Sequence, residues 1–525
     1  MTNVSDTRDA GLSATLASNT NVPSPGSAEE RQRFALIQER LAPLFRRAFP
    51  DPHAHQTVVV IPSLSLDAEE LAKISGVHHY EERMLCMLML LHMPRTHLIY
   101  VTSQPVAATI IDYYLHLLPG IPVSHARRRL TLLSCHDASN APLTQKILER
   151  PRLLERIRVA IPDARAAHMT CFNGSPLERT LAVRLDIPLY ACDPVLNWLG
   201  TKSGSREVFR QAGVPMPDGF EHLRDQDDLV GAVAELKQRQ PTLRCAVIKL
   251  NDGFSGEGNA LFSYEGAPAD SDLTRWVRTE LPFRIRFEAR GETWERYQQK
   301  FAEMGGIVES FLEGEEIRSP SVQCRIDPLG NSCIISTHDQ VLGGPSGQIF
   351  LGCSFPADEA YRRDVHEAGW RVSEVLNQRG VLGRFGIDFI SIKRGERWEH
   401  AAIEINLRKG GTTHPYLTLQ FLTDGDYEPQ SGTYCTPMGQ PCYYFASDNL
   451  QSPAYKGLIP DDLIDIVVSH GLHFDGSTQQ GVVFHLIGAL SEFGKLGTVC
   501  IGDSRVSAEK FYRDTVAVLD RETQK

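Results

Sequence analysis

The pattern of apolar and polar positions divides the first two hundred residues into short strands and longer helices. Short apolar runs rich in β-branched residues predict buried strands, and the segments between them have the length of helices. The predicted strands are 57–61, 97–102, 130–133 and 168–172, and the predicted helices are 31–49, 81–92, 105–118 and 144–160. Strands and helices that alternate at this spacing predict a mainly parallel sheet with helices on both faces.

The pattern changes after about residue 199. Proline and glycine interrupt the chain at 212–217, and a turn at 327–330 lies between two strand-like runs, which is typical of antiparallel hairpins. Further on, apolar segments at 459–470 and 481–490 predict a small C-terminal α/β module. The polar first thirty residues predict a disordered tail.

Composition and charge narrow the function classes. A chain of 525 residues predicts two to four domains. Its 65 acidic and 54 basic residues give a net charge of −11, which argues against a nucleic-acid partner. The absence of a membrane-spanning apolar run or an apolar signal core, and eleven scattered cysteines with no CxxC pair, predict a cytoplasmic protein with no membrane partner.

A strand that ends in a lysine and continues into glycines is the first candidate for chemistry. The strand 245–249 ends at Lys249, and glycines follow at 253, 256 and 258. A strand-borne ammonium group can be aimed at a polyphosphate, and glycines let backbone N–H groups approach its oxygens. A flexible hairpin with a surface lysine explains the same residues equally well.

Two further strands carry oxygen ligands. Glu404 and Asn406 lie two residues apart, so they share one face of a strand, and Asp388 joins them if its strand pairs antiparallel with theirs. Two carboxylates and an amide oxygen suit Mg²⁺ that carries nucleotide phosphates. The alternative is an exposed polar face of a sheet.

An extended segment with a glycine turn lies between these two groups, at 307–318. Its backbone can present donors and acceptors to an adenine edge, and a carboxylate a few residues later can accept hydrogen bonds from ribose hydroxyls. Taken alone, the segment is better explained as an ordinary strand–turn–strand unit.

The order of these motifs resembles the ATP-grasp superfamily, over roughly residues 55–525. The motifs at 336–344 and 404–414 look most like those of the peptide ligase of pheganomycin biosynthesis and its relatives. The resemblance implies ATP and Mg²⁺ as cofactors. It implies two ATP-binding lysines (Lys202, Lys249), a closing loop (Phe254, Ser255, Gly256, Gly258), an adenine hinge (Glu309, Ser310, Leu312), a ribose carboxylate (Glu316) and three metal ligands (Asp388, Glu404, Asn406).

The resemblance also implies an α/β fold with three domains. A parallel-sheet pre-ATP-grasp domain at 31–199 would precede a two-lobed α+β ATP-grasp core at 200–424, and a small C-terminal α/β domain at 425–525 would follow. The tail at 1–30 completes this division.

The implied activity is that of a carboxylate–amine ligase, which forms an amide or peptide bond through an acyl phosphate and releases ADP and phosphate. Small carboxylates and amines, such as amino acids or peptides, would be the substrates, and a homo-oligomer stays open. Two alternatives stay open as well: an ATP-grasp kinase that phosphorylates a hydroxyl group, and a non-catalytic nucleotide-binding module.

The sequence departs from the D-alanine–D-alanine ligases of this superfamily at one catalytic position. Gly386 stands two residues before Asp388, where those ligases have an arginine. Arg408 is therefore expected to act with Lys249 in catalysis by stabilising the acyl phosphate. Arg384 is a second, weaker candidate for the role of Arg408. The residues expected to line the substrate cleft are Arg325, His338, Asp339 and Gln340.

Overall fold

The computed structural model describes residues 23–66, 68–253, 258–269, 272–289, 291–343 and 349–524. Most of the predicted tail lies outside these ranges. The first helix begins at Ala28, inside the predicted tail, because Ser27 caps it and the buried Glu30 accepts a 2.7 Å hydrogen bond from Thr180. The helix predicted over 31–49 is two helices, α1 (Ala28–Gln38) and α2 (Leu41–Ala48).

The N-terminal region contains the predicted parallel sheet. All three strand pairings are parallel, in the order β3–β2–β1–β4. The strands are β1 (Gln56–Ile61), β2 (Thr96–Thr102), β3 (Leu130–Ser134) and β4 (Ala167–Cys171). The helices are α3 (Ala68–Ala72), α4 (Ala108–His116), α5 (Val123–Arg127), α6 (Leu143–Leu148), α7 (Pro151–Val159) and α8 (Pro176–Leu185), with 3₁₀ helices at Val77–His92 and Ala164–Ala166. The buried helix predicted over 81–92 is therefore a 3₁₀ helix.

The middle region begins with a five-stranded antiparallel sheet in the order β5–β9–β6–β7–β8. Its strands are β5 (Gly219–Leu223), β6 (Cys245–Leu250), β7 (Asn259–Ser263), β8 (Ile285–Phe287) and β9 (Gly306–Ser310). Its helices are α9 (Lys202–Ala212), α10 (Gln226–Arg239), α11 (Leu273–Arg284) and α12 (Trp294–Met304), preceded by a 3₁₀ helix at Pro194–Gly200.

A nine-stranded sheet occupies the remainder of the chain. Its order is β10–β14–β11–β12–β13–β18–β20–β19, and β15 pairs with β14. The strands are β10 (Glu316–Arg318), β11 (Pro320–Ile326), β12 (Ser332–Gly343), β13 (Ile349–Phe355), β14 (Gly383–Arg394), β15 (Arg397–Asn406), β18 (Tyr443–Gln451), β19 (Gly481–His485) and β20 (Lys495–Gly502), and β16 (Asp426–Glu428) and β17 (Thr433–Cys435) form a separate hairpin. The helices are α13 (Arg362–Gln378), α14 (Thr413–Thr423), α15 (Pro460–Ser469), α16 (Ala489–Phe493) and α17 (Arg505–Glu522), with a 3₁₀ helix at Pro453–Gly457.

The C-terminal strands extend this sheet instead of forming one of their own. Phe355 of β13 pairs with Tyr444 of β18, and β20 and β19 follow. The predicted α/β character of the C-terminal segment is confirmed, but its strands are continuous with the ATP-grasp-like core. The domain boundaries at 199 and 424 stay a prediction.

Packing on one face of the large sheet leaves the other face for chemistry. Phe385, Ile387 and Phe389 of β14 belong to one buried core with α13 residues such as Val372. Because side chains alternate along a strand, Asp388 points to the opposite face. Among the described residues, no helix combines the length and the apolar character that crossing a bilayer requires.

Candidate active site

The predicted metal ligands come together on the β14–β15 hairpin. The register places Asp388 directly opposite Glu404, and Gly386 opposite Asn406, as the sequence predicts. The Asn406 amide donates to Asp388 Oδ2 at 2.8 Å, and the Gln340 amide donates to Asp388 Oδ1 at 2.7 Å. Gln340, predicted to line the substrate cleft, therefore orients the Asp388 carboxylate.

The electrostatics of this group fit a divalent cation. Burial, and then the neighbouring Glu404 carboxylate, raise the pKa of Asp388 to about 7. Burial also acts to raise the pKa of Glu404, but Lys202, whose Nζ lies 2.6 Å from Glu404 Oε2, brings it below its usual range. Two partly buried carboxylates side by side repel each other, and hard oxygen ligands suit Mg²⁺, which would relieve this repulsion.

Two buried lysines approach the site from the smaller sheet and from α9. Lys202 is the first residue of α9, and Lys249 lies on β6, with 7% and 6% of their surfaces exposed. The Lys249 ammonium contacts Glu309 Oε1, and Arg206 Nη1 lies 3.2 Å from the other oxygen of Glu309. The Glu309 side chain thus holds Lys249 in place, a role that the hinge assignment did not include.

The predicted adenine hinge follows β9. The Ser310 N–H donates to Asp218 O at 2.8 Å, and the Phe311 N–H donates to Cys245 O at 3.2 Å. The chain then leaves the sheet at Leu312, beside a cavity of about 760 Å³ whose walls include Phe311, Leu312 and Ile317. The cavity volume falls in the range of small-molecule sites, although the metal carboxylates do not line it.

Glu316 does not face this cavity. It lies opposite Lys393 and pairs with Arg318 at 2.8 Å and with Lys393 at 3.5 Å, whereas its neighbour Ile317 lines the cavity. Its partner Lys393 also lines the cavity, so Glu316 lies at the cavity's edge, and its assignment to the ribose stays a prediction. The carboxylates that line the cavity are Glu313 and Glu315.

Arg408 interacts electrostatically with the Glu404 and Asp388 carboxylates. Burial lowers its pKa, while the carboxylates of Glu404 and Asp388 act to raise it. Its role at the acyl phosphate stays a prediction. A Cβ at Gly386 would lie 2.6 Å from the Gln323 amide nitrogen, so a side chain there would require that amide to move.

Two of the predicted substrate residues do not line an open cleft. His338 is fully buried among Phe355 and Tyr444, and its Nε2 lies 2.5 Å from the Tyr444 hydroxyl. Asp339 points to the other face, where it accepts hydrogen bonds from Tyr361 at 2.6 Å and from Arg505 at 3.2 Å. Both assignments are wrong because strand alternation and core packing, which the local sequence does not display, direct these side chains elsewhere.

The predicted closing loop is only partly described. Phe254, Ser255 and Gly256 lie outside the described residues. The carbonyl of Gly258 accepts hydrogen bonds from the Leu250 N–H and the Tyr297 hydroxyl, both at 3.0 Å, which fixes the base of the loop. Arg325, the remaining predicted substrate residue, lies directly opposite Arg384 at the far end of β11.

Sequence reasoning missed two positioning residues, Arg206 and Lys409. Arg206 contacts the side chains of both Glu221 and Glu309. Lys409 is buried, and its ammonium donates to Cys171 O at 2.6 Å and to Thr170 Oγ1 at 3.1 Å, which joins the segment after β15 to β4. The only signal for Lys409 in the sequence was its place directly after Arg408.

Comparisons with known families agree with this geometry. A model of the IQCH-like ATP-grasp family matches residues 194–267 and 272–427. A model of the PGM1 C-terminal domain matches residues 462–515. Together the two models cover the metal-binding strands, both lysines and most of the C-terminal segment.

Full-length relatives extend the comparison. The L-propargylglycine–L-glutamate ligase of Streptantibioticus cattleyicolor is 32% identical over 471 residues, which cover 88% of this chain and 94% of that protein. The IQ motif-containing protein H of Danio rerio is 23% identical, and the match covers 82% of this chain but only 45% of that longer protein.

Solved structures show the same fold. An ADP complex of N5-carboxyaminoimidazole ribonucleotide synthetase has a TM-score of 0.50 and 12% identity, and covers 90% of this chain and 98% of its own. An ATP complex of biotin carboxylase from Campylobacter jejuni has a TM-score of 0.50 and 13% identity, and covers 90% and 96% of the two chains.

Proposed function

The chain belongs to the ATP-grasp carboxylate–amine ligases, and we propose that it joins the carboxylate of one amino acid or peptide to the amine of another. ATP is cleaved to ADP and phosphate. The proposal that both substrates are amino acids or peptides rests on the relative from Streptantibioticus cattleyicolor, whose name states that it joins L-propargylglycine and L-glutamate.

One observation carries the proposal: two lysines and three oxygen ligands converge on one buried site. Lys202 contacts Glu404, which lies opposite Asp388, and Asn406 donates to Asp388. Lys249 is held beside them by Glu309. We propose that Asp388, Glu404 and Asn406 hold Mg²⁺, which would neutralise the phosphate charge.

The chemistry requires activation of a poor electrophile. A carboxylate repels an incoming amine and has no good leaving group, so transfer of the γ-phosphoryl group to it forms an acyl phosphate. The amine then attacks the acyl carbon, and phosphate leaves. Lys202 and Lys249 position the triphosphate, and Arg408 stabilises the negative charge at the acyl centre.

The nucleotide base is proposed to lie at the hinge end of the site. Leu312 and Ile317 give the cavity apolar walls that suit a purine, and Glu313 and Glu315 supply carboxylates for the ribose hydroxyls. Glu316, the carboxylate predicted for this role from the sequence, is their neighbour in the chain.

Trapping with hydroxylamine tests the proposed function. With a panel of amino acids as carboxyl donors, ATP and Mg²⁺, the enzyme should form a hydroxamate and ADP in equal amounts, because hydroxylamine captures an acyl phosphate. Lys249→Ala should abolish both products, whereas Lys510→Ala, at an exposed lysine of α17, should not change them. A stable phosphorylated product that resists hydroxylamine would indicate a kinase, and absence of ADP across the panel would indicate a nucleotide-binding module.

A further inference from the structure

Two arginines face each other on the sheet face that carries the metal ligands. Arg325 of β11 and Arg384 of β14 are direct partners in the antiparallel register. Arg384 lies on the same face as Asp388, since the two are four residues apart on one strand. Like charges directly opposite each other destabilise a sheet, so this pair needs a compensating interaction.

Among the residues that the structure describes, the protein balances these charges without a carboxylate partner: the Arg325 guanidinium lies 5.5 Å from the centre of the Phe49 ring and hydrogen-bonds the Cys333 side chain. In the described parts of the chain, neither arginine forms an ion pair, and both are partly buried. Asp327 is near Arg325, but its carboxylate already accepts hydrogen bonds from Leu329 N and from two groups of Asn331. Burial lowers the pKa of Arg384, and the charge of Arg325 lowers it further.

Unsatisfied donors surround the same spot. Within the described residues, Arg325 Nε and the Tyr190 hydroxyl are buried and have no hydrogen-bond partner. Burial raises the pKa of the Tyr190 hydroxyl, and the charges of both guanidinium groups act to lower it. Buried polar groups are normally satisfied, so two unmatched donors beside a second guanidinium group indicate an anion that the protein itself does not supply.

The position of the pair relative to the catalytic groups limits what the anion is. Gly386 of β14 is the partner of Asn406 of β15, and the two strands run antiparallel. Arg384 lies two residues before Gly386, and Arg408 lies two residues after Asn406. Both arginines therefore lie on the same side of the metal group. The four residues from Arg384 to Asp388 span about 13 Å at about 3.3 Å per residue. A phosphorylated carboxyl group and an amino acid fit end to end within this length.

We propose that Arg325, Arg384 and the Tyr190 hydroxyl bind the α-carboxylate of the amino acid that supplies the amine. When two amino acids are joined, the carboxyl donor keeps an ammonium group and the amine acceptor keeps a carboxylate. A pair of guanidinium groups therefore selects the acceptor. This assignment rests on the proposed ligase function and names one of its two substrates.

The test compares each amino acid acceptor with its α-carboxamide, which keeps the amine and loses the charge. The unchanged enzyme should prefer the acid in kcat/KM by about 10- to 100-fold, the value of charge-assisted hydrogen bonds. Arg384→Met should raise the KM for the acid and reduce this preference to near one. Arg165→Met, at an exposed arginine in the N-terminal region, should keep the preference.

Hydroxamate formation separates this proposal from the function on which it rests. Hydroxamate formation needs the carboxyl donor but no amino acid acceptor. The fold loss of rate caused by Arg384→Met should therefore be at least tenfold smaller for hydroxamate formation than for the reaction with the amino acid acceptor. An equal fall in both reactions would place the donor at this pair, and an unchanged acid preference would also overturn the proposal. Absence of hydroxamate with the unchanged enzyme would contradict the ligase function and the acceptor site together.

Discussion

Glu309 shows how one side chain can prepare the nucleotide site before ATP binds. It contacts Lys249 with one oxygen and Arg206 with the other, and only 2% of its surface is exposed. A buried ammonium group is costly without a counter-charge, and Glu309 supplies one. Glu309 therefore holds Lys249 in one position, where we expect the triphosphate to compete for it.

Glu404→Gln should lower turnover by at least about 100-fold, because a correctly positioned metal ion stabilises the charge on the phosphoryl group during its transfer. The substitution keeps the shape of the side chain and removes one charge from the metal group. Glu399→Gln on the same strand is the control, since Glu399 is exposed and forms a surface ion pair with Arg394 at 2.9 Å. Near-normal ADP formation by a folded Glu404→Gln enzyme would contradict the metal assignment.

His338 should make the protein less stable as the pH falls. Burial lowers the pKa of His338 to about 3, whereas an exposed histidine has a pKa of about 6.5. Between these values the unfolded chain binds a proton that the folded chain does not. The free energy of unfolding therefore decreases by up to about 1.4 kcal/mol for each unit by which the pH is lowered. This contribution is lost as the pH falls and is fully present above about pH 6.5.

Denaturant unfolding at about pH 7 and about pH 5 measures this effect. His338→Phe fills the same aromatic site without a titrating group, so it should lose less stability than the natural protein on acidification. Parallel pH dependences of the two proteins would show that His338 is accessible to protons in the folded state.

At the scale of elements, the strands and the hairpin that were predicted from the sequence are those set by residues close together in the chain. The strands around Val59, Ile99 and Lys249 lie within about one residue of their predicted positions, because apolar runs and turn residues mark them locally. The pairing of Asp388 with Glu404 followed from strand alternation and a short hairpin. The contacts of Glu309 with Arg206, and of Lys409 with β4, join distant segments and left no local pattern.

The junction between β13 and β18 was also beyond local prediction. The sequence predicted a separate C-terminal module, whereas the structure joins β13 and β18 in one sheet through residues nearly one hundred positions apart, such as Gly352 and Ser447. Gly352 allows this approach, since a Cβ there would lie 2.2 Å from Ala446 O. Close backbone contact is a property of the assembled sheet, and one sequence does not display it.

Gly352→Ala should therefore destabilise the protein by about 1–3 kcal/mol, because β18 must move away from β13 to admit a methyl group. Gly231→Ala is the matched control: Gly231 lies in α10 with no atom within 4 Å of the added Cβ. The control should be neutral or stabilising by up to about 1 kcal/mol. Equal unfolding free energies for the two variants in denaturant would contradict the tight junction.

At the scale of the whole molecule, the C-terminal segment completes structures that begin elsewhere. The Tyr113 hydroxyl accepts from Phe484 N, and the Tyr114 hydroxyl donates to Phe484 O, both at 3.0 Å, so α4 covers β19. Asp448 Oδ1 lies 2.8 Å from His485 Nε2 and 3.1 Å from His414 Nε2, which joins β18 and β19 to α14. One buried apolar core includes Leu88 and Ile501 from opposite ends of the chain.

A chain that ends at residue 440 should consequently fail to form a cooperative native state. It would lose β18, β19 and β20, leave the edge of β13 unpaired, and expose the apolar residues of the 3₁₀ helix at Val77–His92 that share a core with them. All five tryptophans precede residue 440, so near-ultraviolet circular dichroism still reports on the remaining part. We expect loss of that signal, binding of a hydrophobic dye and no sharp unfolding transition. A truncated protein with a sharp transition and preserved ATP binding would show instead that the first 440 residues fold independently of the C-terminal strands.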